Sequence, residues 1–308
     1  MKSTRAVPVL LAAVLLVACA ASGPSPGGDG DDGPIDHPTG DELVLAIENR
    51  GGFVPPQFLA TQTPTFALMG DGRVVVQGAQ VLIFPGPALP PLQTRRLTEE
   101  GMQTILREVV ATGLFDADLE LRGAQAVVAD ASDTAFILHA GGRDVTVSVY
   151  ALGLITPDMQ PPQGVSADEL RAHQVLQGMQ DRLLQLDTWL SEDAWQDTGW
   201  QPYEPTAFRL YVRDATNDVP EAGVAQEVRT WPEVSADPAS FGTEEPLFGD
   251  GTRCAAVTGD EAAAWLAELG AANQNTRWSV DGEKLYAVSP RPLLPYEEAS
   301  CPELAPGA

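Results

Sequence analysis

The sequence has few basic residues. Eighteen lysines and arginines stand against 43 aspartates and glutamates, which gives a formal net charge of −25. The only lysines are Lys2 and Lys284. A protein that binds nucleic acid without sequence preference needs cations against the phosphates. The charge balance therefore excludes that class of function, and no nucleic-acid partner is expected.

Long apolar runs are scarce as well. The run from Ala6 to Ala18 has 13 residues, whereas a transmembrane helix needs about 20. It follows two positive residues, Lys2 and Arg5, and it ends just before a cysteine. This order is typical of a secretory signal peptide. We therefore expect residues 1–18 to be a leader and the rest of the chain to be exported.

The predicted cut site resembles the lipobox of bacterial lipoproteins, on the residues Leu16-Val17-Ala18-Cys19. This likeness implies cleavage before Cys19 and attachment of a diacylglycerol to its thiol. Two or more acyl chains hold a soluble body at a bilayer. Membrane lipid, bound through acylated Cys19, is thus an expected partner, and the expected location is the extracytoplasmic face of the cell membrane. A plain secreted protein with a chance cysteine is the alternative.

Residues 19–42 are rich in glycine, proline, serine and aspartate and contain almost no apolar side chains. Such a segment cannot bury enough surface to fold by itself, so we predict a disordered tether. Asp29, Asp31 and Asp32 lack the spacing and the closing glutamate of a calcium loop. They are interpreted as part of a solvated acidic linker.

Cysteine is rare, with three residues in the chain. If Cys19 carries lipid, Cys254 and Cys301 remain as an even pair in an exported protein, which predicts a disulfide. A redox-active dithiol usually shows C-x-x-C spacing, and this pair does not. The disulfide is therefore interpreted as structural.

The length of 308 residues is typical of about two domains. We predict an N-terminal domain over 43–190, an aromatic and acidic linker over 191–205 and a C-terminal domain over 206–308. Hairpins alternate with single helices rather than forming regular strand–helix repeats. That order favours an α+β fold of two small domains, each an antiparallel sheet of hairpins with one or two packed helices.

Tight-turn residues between apolar strands predict three β-hairpins. The turns are Gly70-Asp71-Gly72, Gly141-Gly142 and Asp281-Gly282. In the second hairpin, a two-residue turn places Leu138 opposite Val145 and His139 opposite Asp144. His139 is therefore interpreted as half of a cross-strand ion pair rather than as a catalytic residue.

Three helices are predicted from cap residues that precede apolar residues at helical spacing. They start after Thr98, Ser166 and Thr258. The second and third starts have the form of capping boxes, in which the hydroxyl accepts a backbone N–H three residues later. In the second helix, His173 falls on the polar face and is expected to be solvated.

The motifs of common reactions are missing. The chain has no nucleophile elbow, S-x-x-K, H-E-x-x-H, Walker A or dinucleotide-binding glycine motif. Three histidines, His37, His139 and His173, poorly supply a metal site or a Ser-His-Asp triad. No cofactor and no metal are predicted.

Calcium is the metal alternative that the sequence leaves open. Its ligands would be Asp214, Asn217, Asp218 and Glu221. An acidic turn is the preferred interpretation of this segment, because the full calcium-loop pattern is not present.

Three aromatic residues, Trp195, Trp200 and Tyr203, cluster in the predicted linker. Exposed rings can stack on sugars or on a partner peptide, so these three are the candidate ligand contacts. Aromatic residues at a domain junction more often wedge the domains together. The wedge is the preferred interpretation, and contact with a glycan or an envelope protein stays open.

Five strings are similar to those of uncharacterised exported lipoproteins of actinobacteria. They are Gly70-Asp71-Gly72-Arg73-Val74, Arg96-Leu97-Thr98-Glu99-Glu100, Gly113-Leu114-Phe115-Asp116, Gly251-Thr252-Arg253-Cys254 and Arg291-Pro292-Leu293-Leu294-Pro295. The resemblance spans most of the mature chain and implies location and fold. It implies no activity and no site residue.

The anchor, the tether and the disulfide, without a catalytic set, lead to the hypothesis of a lipid-anchored, non-catalytic binding or interaction module of the cell envelope. The alternative is an envelope hydrolase that cleaves glycan or peptide with two carboxylates. A cleft with two facing, partly buried carboxylates favours the hydrolase, and a flat apolar patch favours a partner. A solute-binding transport component is a third hypothesis, weakened by the missing βαβ pattern.

Overall fold

The computed structural model describes residues 33–126, 128–155, 165–220 and 222–302. The predicted leader, Cys19 and most of the predicted tether lie outside the described residues, as does Glu221 of the alternative calcium site. In the ranges that are described, no helix is both long enough and apolar enough to cross a membrane.

Single α-helices separate runs of one to five strands. The strands are β1 Leu43–Arg50, β2 Phe66–Met69, β3 Arg73–Gln77, β4 Leu92–Arg96, β5 Leu119–Leu121, β6 Asp133–Ala140, β7 Arg143–Tyr150, β8 Gln201–Pro202, β9 Ala207–Asp214, β10 Val228–Thr230, β11 Thr243–Glu244, β12 Arg253–Thr258, β13 Arg277–Ser279 and β14 Tyr286–Pro292. The α-helices are α1 Pro56–Thr61, α2 Glu99–Ala111, α3 Ala167–Leu183 and α4 Gly259–Leu269.

The strands form two sheets, and the predicted α+β class is confirmed. The first sheet has the order β5-β7-β6-β1-β2-β3-β4-β8, and the second has the order β10-β13-β14-β9-β12-β11. Neighbouring strands are antiparallel except for β5 with β7 and β10 with β13. Both sheets belong to one compact unit that begins at Ile35.

The predicted hairpin register is confirmed in the first sheet. Leu138 lies opposite Val145, and His139 lies opposite Asp144, with 3.0 Å between His139 Nδ1 and an Asp144 carboxylate oxygen. Gly141 has a positive φ, a backbone conformation that glycine adopts without steric cost. Local turn chemistry therefore suffices to set this pairing.

Helix caps behave differently at two of the predicted starts. The Thr98 hydroxyl accepts the Gly101 N–H at 3.2 Å and begins α2, as a good N-cap does. Thr258 precedes α4, but its side chain makes no capping hydrogen bond. The capping-box prediction is wrong at Thr258, where β12 runs directly into α4 and Gly259, the first residue of the helix, has a positive φ of 57°.

One face of the first sheet packs against α2 and α3. Leu106 of α2 and Leu176 of α3 are fully buried in this core with Phe136 of β6. The opposite face is covered by the segment that follows β14, where Leu294 packs against Met69. The chain that follows the second sheet therefore covers the other face of the first.

The second sheet has its own core against α4. Trp265 of α4 is fully buried and lies 4.9 Å, centroid to centroid, from both Trp231 and Trp278, in edge-to-face contacts. On the other face of this sheet, Ala60 of α1 packs against Tyr211 of β9 and Cys254 of β12. The short helix α1, which lies between β1 and β2 of the first sheet, thus packs on the face of the second sheet opposite α4.

Residues 35–42, which the sequence analysis assigns to the tether, pack against α2 and the hairpin turns of the first sheet instead. The Ile35 N–H donates to Gln103 Oε1 at 2.8 Å, and the Gly141 N–H donates to the Asp36 carbonyl at 2.6 Å. His37 lies 3.2 Å from Glu99. The composition of this segment gave no sign of these contacts, because most of them use backbone groups.

The expectation that His173 is solvated is wrong, because its side chain is only 2% exposed. The buried stripe of α3 is wide enough to include His173 beside Ala172 and Leu176. Neither of its ring nitrogens has a hydrogen-bond partner among the described residues. Burial lowers the pKa of His173, and Glu169, 4.0 Å away, offsets part of that effect.

Candidate functional site

The predicted aromatic contacts do not form one exposed platform. Trp195 is buried on the core of the first sheet and meets Trp200 edge to face at 5.6 Å. The guanidinium of Arg95 lies 4.0 Å above the Trp195 ring, a cation–π contact. The Trp200 indole N–H donates to Asp187 at 2.7 Å. Packing and internal hydrogen bonds therefore explain the positions of both indoles, and neither ring belongs to an exposed binding surface.

Tyr203 lies elsewhere, between the first sheet and the segment after β14. Its hydroxyl donates to the Leu293 carbonyl at 2.9 Å, and its ring packs with Leu294. Burial raises the pKa of Tyr203 to about 12. The hydroxyl therefore stays protonated at neutral pH. Its hydrogen bond links the chain after β8 to the chain after β14.

The predicted disulfide is confirmed between Cys254 and Cys301, with a Cα–Cα distance of 6.1 Å. It ties the segment after β14 to strand β12. Between Cys301 and the end of β14 lie Glu297 and Ser300, two residues that take part in the site described next. The disulfide thus restrains the chain that supplies those two groups.

A cavity of about 410 Å³ lies between the end of β1, helix α1 with the loop after it, and the face of the second sheet opposite α4. Its lining mixes charged, polar and apolar side chains. The lining residues are Glu48, Asn49, Arg50, Gly51, Leu59, Ala60, Gln62, Thr63, Pro64, Arg209, Leu247, Arg291, Glu297 and Pro302.

Two arginines reach this cavity from the second sheet because of strand alternation. Along β9, Phe208 and Leu210 face α4, so Arg209 faces the opposite side. Arg291 of β14 lies directly opposite Arg209 in the register. Residues opposite each other on neighbouring strands share a face. The pairing therefore places two guanidinium groups side by side.

Arg291 has a partner for each of its nitrogens. Its Nε donates to the Gln62 carbonyl at 2.7 Å, and its two terminal nitrogens donate to Glu297 at 3.0 and 2.6 Å. Glu297 also accepts the Leu294 N–H at 2.8 Å. Arg291 thereby connects the loop after α1 to the segment after β14.

Arg209 is different. It is 8% exposed, and its Nε donates to the Ser300 carbonyl at 2.7 Å. Within the described ranges, its terminal nitrogens have no hydrogen-bond partner, and no carboxylate oxygen lies within 4.0 Å. Burial lowers the pKa of Arg209, and the nearby Arg291 charge acts in the same direction, while the neighbouring Tyr211 and Glu297 oppose the shift. Because an arginine begins from a very high pKa, the group stays charged.

Tyr211 follows Arg209 on the same face of β9. Its hydroxyl is buried and has no hydrogen-bond partner among the residues that the structure describes. Burial raises the pKa of Tyr211, although the Arg209 charge opposes that effect. Arg209 and Tyr211 are therefore neighbouring polar groups on this face, and each affects the pKa of the other.

The cavity contains two carboxylates, and each already has an arginine partner. Glu48 lies 2.9 Å from Arg50, and Glu297 lies 2.6 Å from Arg291. A carboxylate that acts as a general acid needs surroundings that favour its protonated form. Glu48 and Glu297 are each held by an arginine instead.

The described carboxylates of the alternative calcium site already have partners within the protein. Asp218 lies 2.7 Å from Arg213 and 3.3 Å from Arg277, and Asp214 accepts the Thr216 N–H. In the part of the chain that the structure describes, no group of three or more histidine, cysteine, aspartate or glutamate side chains is placed to hold a metal ion.

Sequence reasoning did not find Arg209 or Arg291 as site residues. One signal was present, because Arg209 interrupts the apolar strand Phe208 to Val212. The importance of this arginine depends on Arg291, 82 positions later, and on the loop after α1. Neither proximity follows from spacing along the chain.

Comparison with known proteins finds no matching family model, no matching curated protein and no matching solved structure. The interpretation of the site therefore depends on its own residues.

Proposed function

We propose that this chain is an exported, lipid-anchored binding protein of the cell envelope that holds a small ligand in the cavity beside Arg209. The observation that carries the proposal is the cavity itself, whose volume of about 410 Å³ lies within the range of small-molecule sites. Its lining combines apolar walls, such as Leu59 and Leu247, with a few fixed polar groups, the usual composition of such sites.

Binding is a better interpretation of this cavity than hydrolysis. The hydrolase alternative needs one carboxylic acid and one carboxylate that are free to react. Glu48 and Glu297 are both engaged with arginines. If the alternative is right, Glu297→Gln abolishes turnover of a glycan or peptide substrate. We expect no turnover from either the native protein or this variant.

The location is supported by the leader, the lipobox and the disulfide. Disulfides persist in oxidising compartments outside the cytoplasm, and Cys254 and Cys301 form one. The direct test is the intact mass of protein purified from its native membrane, beside Cys19→Ala. A lipid-sized mass increment that disappears in the variant supports the anchor, and an unmodified Cys19 overturns it.

The cavity has a separate test. Leu59 lines it, so Leu59→Trp fills part of its volume. Phe58, the preceding residue of α1, is 53% exposed and does not line it, so Phe58→Trp is the matched control. We expect mass spectrometry to find a small molecule that copurifies with the native protein and the control and is lost from Leu59→Trp. Equal retention by both variants contradicts binding in this cavity.

An interaction surface is a second candidate function, favoured by an exposed apolar loop between β3 and β4. Val81 to Phe84 are all more than half exposed, and Leu82 is 98% exposed. Exposed apolar groups of this size often mark contact sites. A photo-crosslinker placed at Leu82, with Leu154 as a similarly apolar exposed control, tests it. A specific envelope protein crosslinked at Leu82 alone supports this function, and equal labelling at both positions contradicts it.

A further inference from the structure

Arg209 is an exception among the buried arginines of this acidic protein. Arg95, Arg209 and Arg291 are all nearly buried. Arg95 has Asp187 at 2.5 Å and Arg291 has Glu297 at 2.6 Å. No carboxylate of the described residues lies within 4.0 Å of Arg209. Among the described residues of this acidic chain, Arg209 is thus the one of these three guanidinium groups without a carboxylate partner.

With 8% of its surface exposed, Arg209 has lost most of its hydration, and no carboxylate of the described residues within 4.0 Å replaces it. The neighbouring Arg291 adds like-charge repulsion across the strands. An anion bound in the cavity offsets both effects. The cavity therefore favours a negatively charged ligand.

The donors left over on Arg209 have a defined geometry. Its Nε is held by the Ser300 carbonyl, which restrains the plane of the group. The two terminal nitrogens are left as a parallel pair. A carboxylate accepts two parallel N–H bonds from such a pair, and charge-assisted bonds of this kind are the strong ones.

The charge of the lining limits how negative the ligand is. Three arginines and two glutamates line the cavity, and the two glutamates are paired with Arg50 and Arg291. One positive charge remains, which matches a monoanion. A phosphate dianion needs more cations than this cavity offers.

We infer that the cavity binds a small monocarboxylate, whose carboxylate docks on the free terminal nitrogens of Arg209 while its uncharged body lies against Leu59, Pro64 and Leu247. This inference rests on the proposed binding function and adds the chemical class of the ligand. Ser300 is a positioning residue in this arrangement, because its carbonyl orients Arg209 and has no role toward the ligand.

The test uses 4-fluorobenzoate as the probe and follows its ¹⁹F resonance during titration with the intact, oxidised protein. The neutral 4-fluorobenzamide has nearly the same shape and serves as the uncharged counterpart. We expect saturable binding of the carboxylate, at least tenfold weaker binding of the amide, and displacement by acetate rather than by an equal concentration of inorganic phosphate.

Variants assign the binding to Arg209. Arg209→Gln is expected to weaken 4-fluorobenzoate binding at least tenfold and to leave amide binding unchanged. Arg209→Lys retains the charge and loses the parallel donor pair, so it is expected to recover part of the affinity. Arg253→Gln is the control, because Arg253 also donates to backbone carbonyls, those of Phe241 and Gly242, and does not line the cavity.

The outcomes separate this inference from the proposed function. If the amide binds as well as the carboxylate, and Leu59→Trp abolishes both, the cavity is a binding site and the role of Arg209 is overturned. Stronger displacement by phosphate overturns the monocarboxylate class. If neither probe binds and no molecule copurifies with the protein, the binding function itself fails.

Discussion

Arg209 and Arg291 lie directly opposite each other on adjacent antiparallel strands, and of the two only Arg291 has a carboxylate partner among the described residues. The pair is therefore asymmetric. Arg291 is a structural link between the loop after α1 and the C-terminal segment, whereas Arg209 retains unused donors beside a cavity. In this cross-strand pair, Arg291 contributes to stability and Arg209 is the proposed ligand contact.

The Arg291–Glu297 ion pair is expected to stabilise the fold. Its side chains are 10% and 15% exposed, and breaking a buried pair on one side costs about 3–5 kcal/mol. Glu297→Gln should therefore lower the free energy of unfolding in urea by about 3 kcal/mol. Glu48→Gln is the control, since Arg50–Glu48 is more exposed and surface pairs contribute about 0–1 kcal/mol. Equal losses in the two variants contradict the assignment.

The disulfide is expected to matter for both stability and binding. It closes a loop of 47 positions, for which the chain-entropy model gives about 4 kcal/mol. Cys254→Ala/Cys301→Ala should lower the unfolding free energy by about that amount. It should also weaken probe binding, because Ser300 and Glu297 lose their restraint. Unchanged binding in the folded double variant rules out the positioning role of the disulfide.

His173 should make stability depend on pH. Burial lowers its pKa in the folded state below the ordinary value of 6.5, so the unfolded state takes up a proton first as the pH falls. Stability is thus complete above about pH 6.5 and is lost progressively below it. We expect His173→Leu to lose less stability than the native protein between pH 7.5 and pH 5.

The control for that experiment is Leu176→Ala. Leu176 is fully buried on the same face of α3 as His173 and carries no titrating group. This variant should lower stability by about the same amount at every pH, because it leaves only a cavity. If it flattens the pH profile as much as His173→Leu does, burial of His173 is not the cause.

The two threonine caps should differ although their sequences look alike. Thr98 accepts the Gly101 N–H, and loss of such a cap costs about 1 kcal/mol. Thr258 makes no capping bond through its side chain. Thr98→Ala should therefore destabilise the protein by about 1 kcal/mol, and Thr258→Ala by less than about 0.5 kcal/mol. Thermal unfolding of the two variants checks the order.

Local sequence patterns were enough to predict the elements that depend on short-range interactions. Turn glycines and strand alternation predicted the register of Leu138 with Val145, and the Thr98 and Ser166 caps predicted where α2 and α3 begin. The even cysteine pair predicted the disulfide. Each depends on residues whose relation is set by short-range backbone chemistry, or on an even count that leaves a single pairing.

Tertiary structure alone decided the candidate site and the burial of His173. Arg209 lies opposite Arg291 and donates to the Ser300 carbonyl, while Arg291 donates to the Gln62 carbonyl, so the site joins three separate parts of the chain. His173 sits on a helix face that the polar neighbours Glu169 and Gln177 made look solvated. Long-range packing chooses which polar groups are buried and which of them find partners. Periodicity along the chain predicts only which face of a helix or strand is mostly apolar.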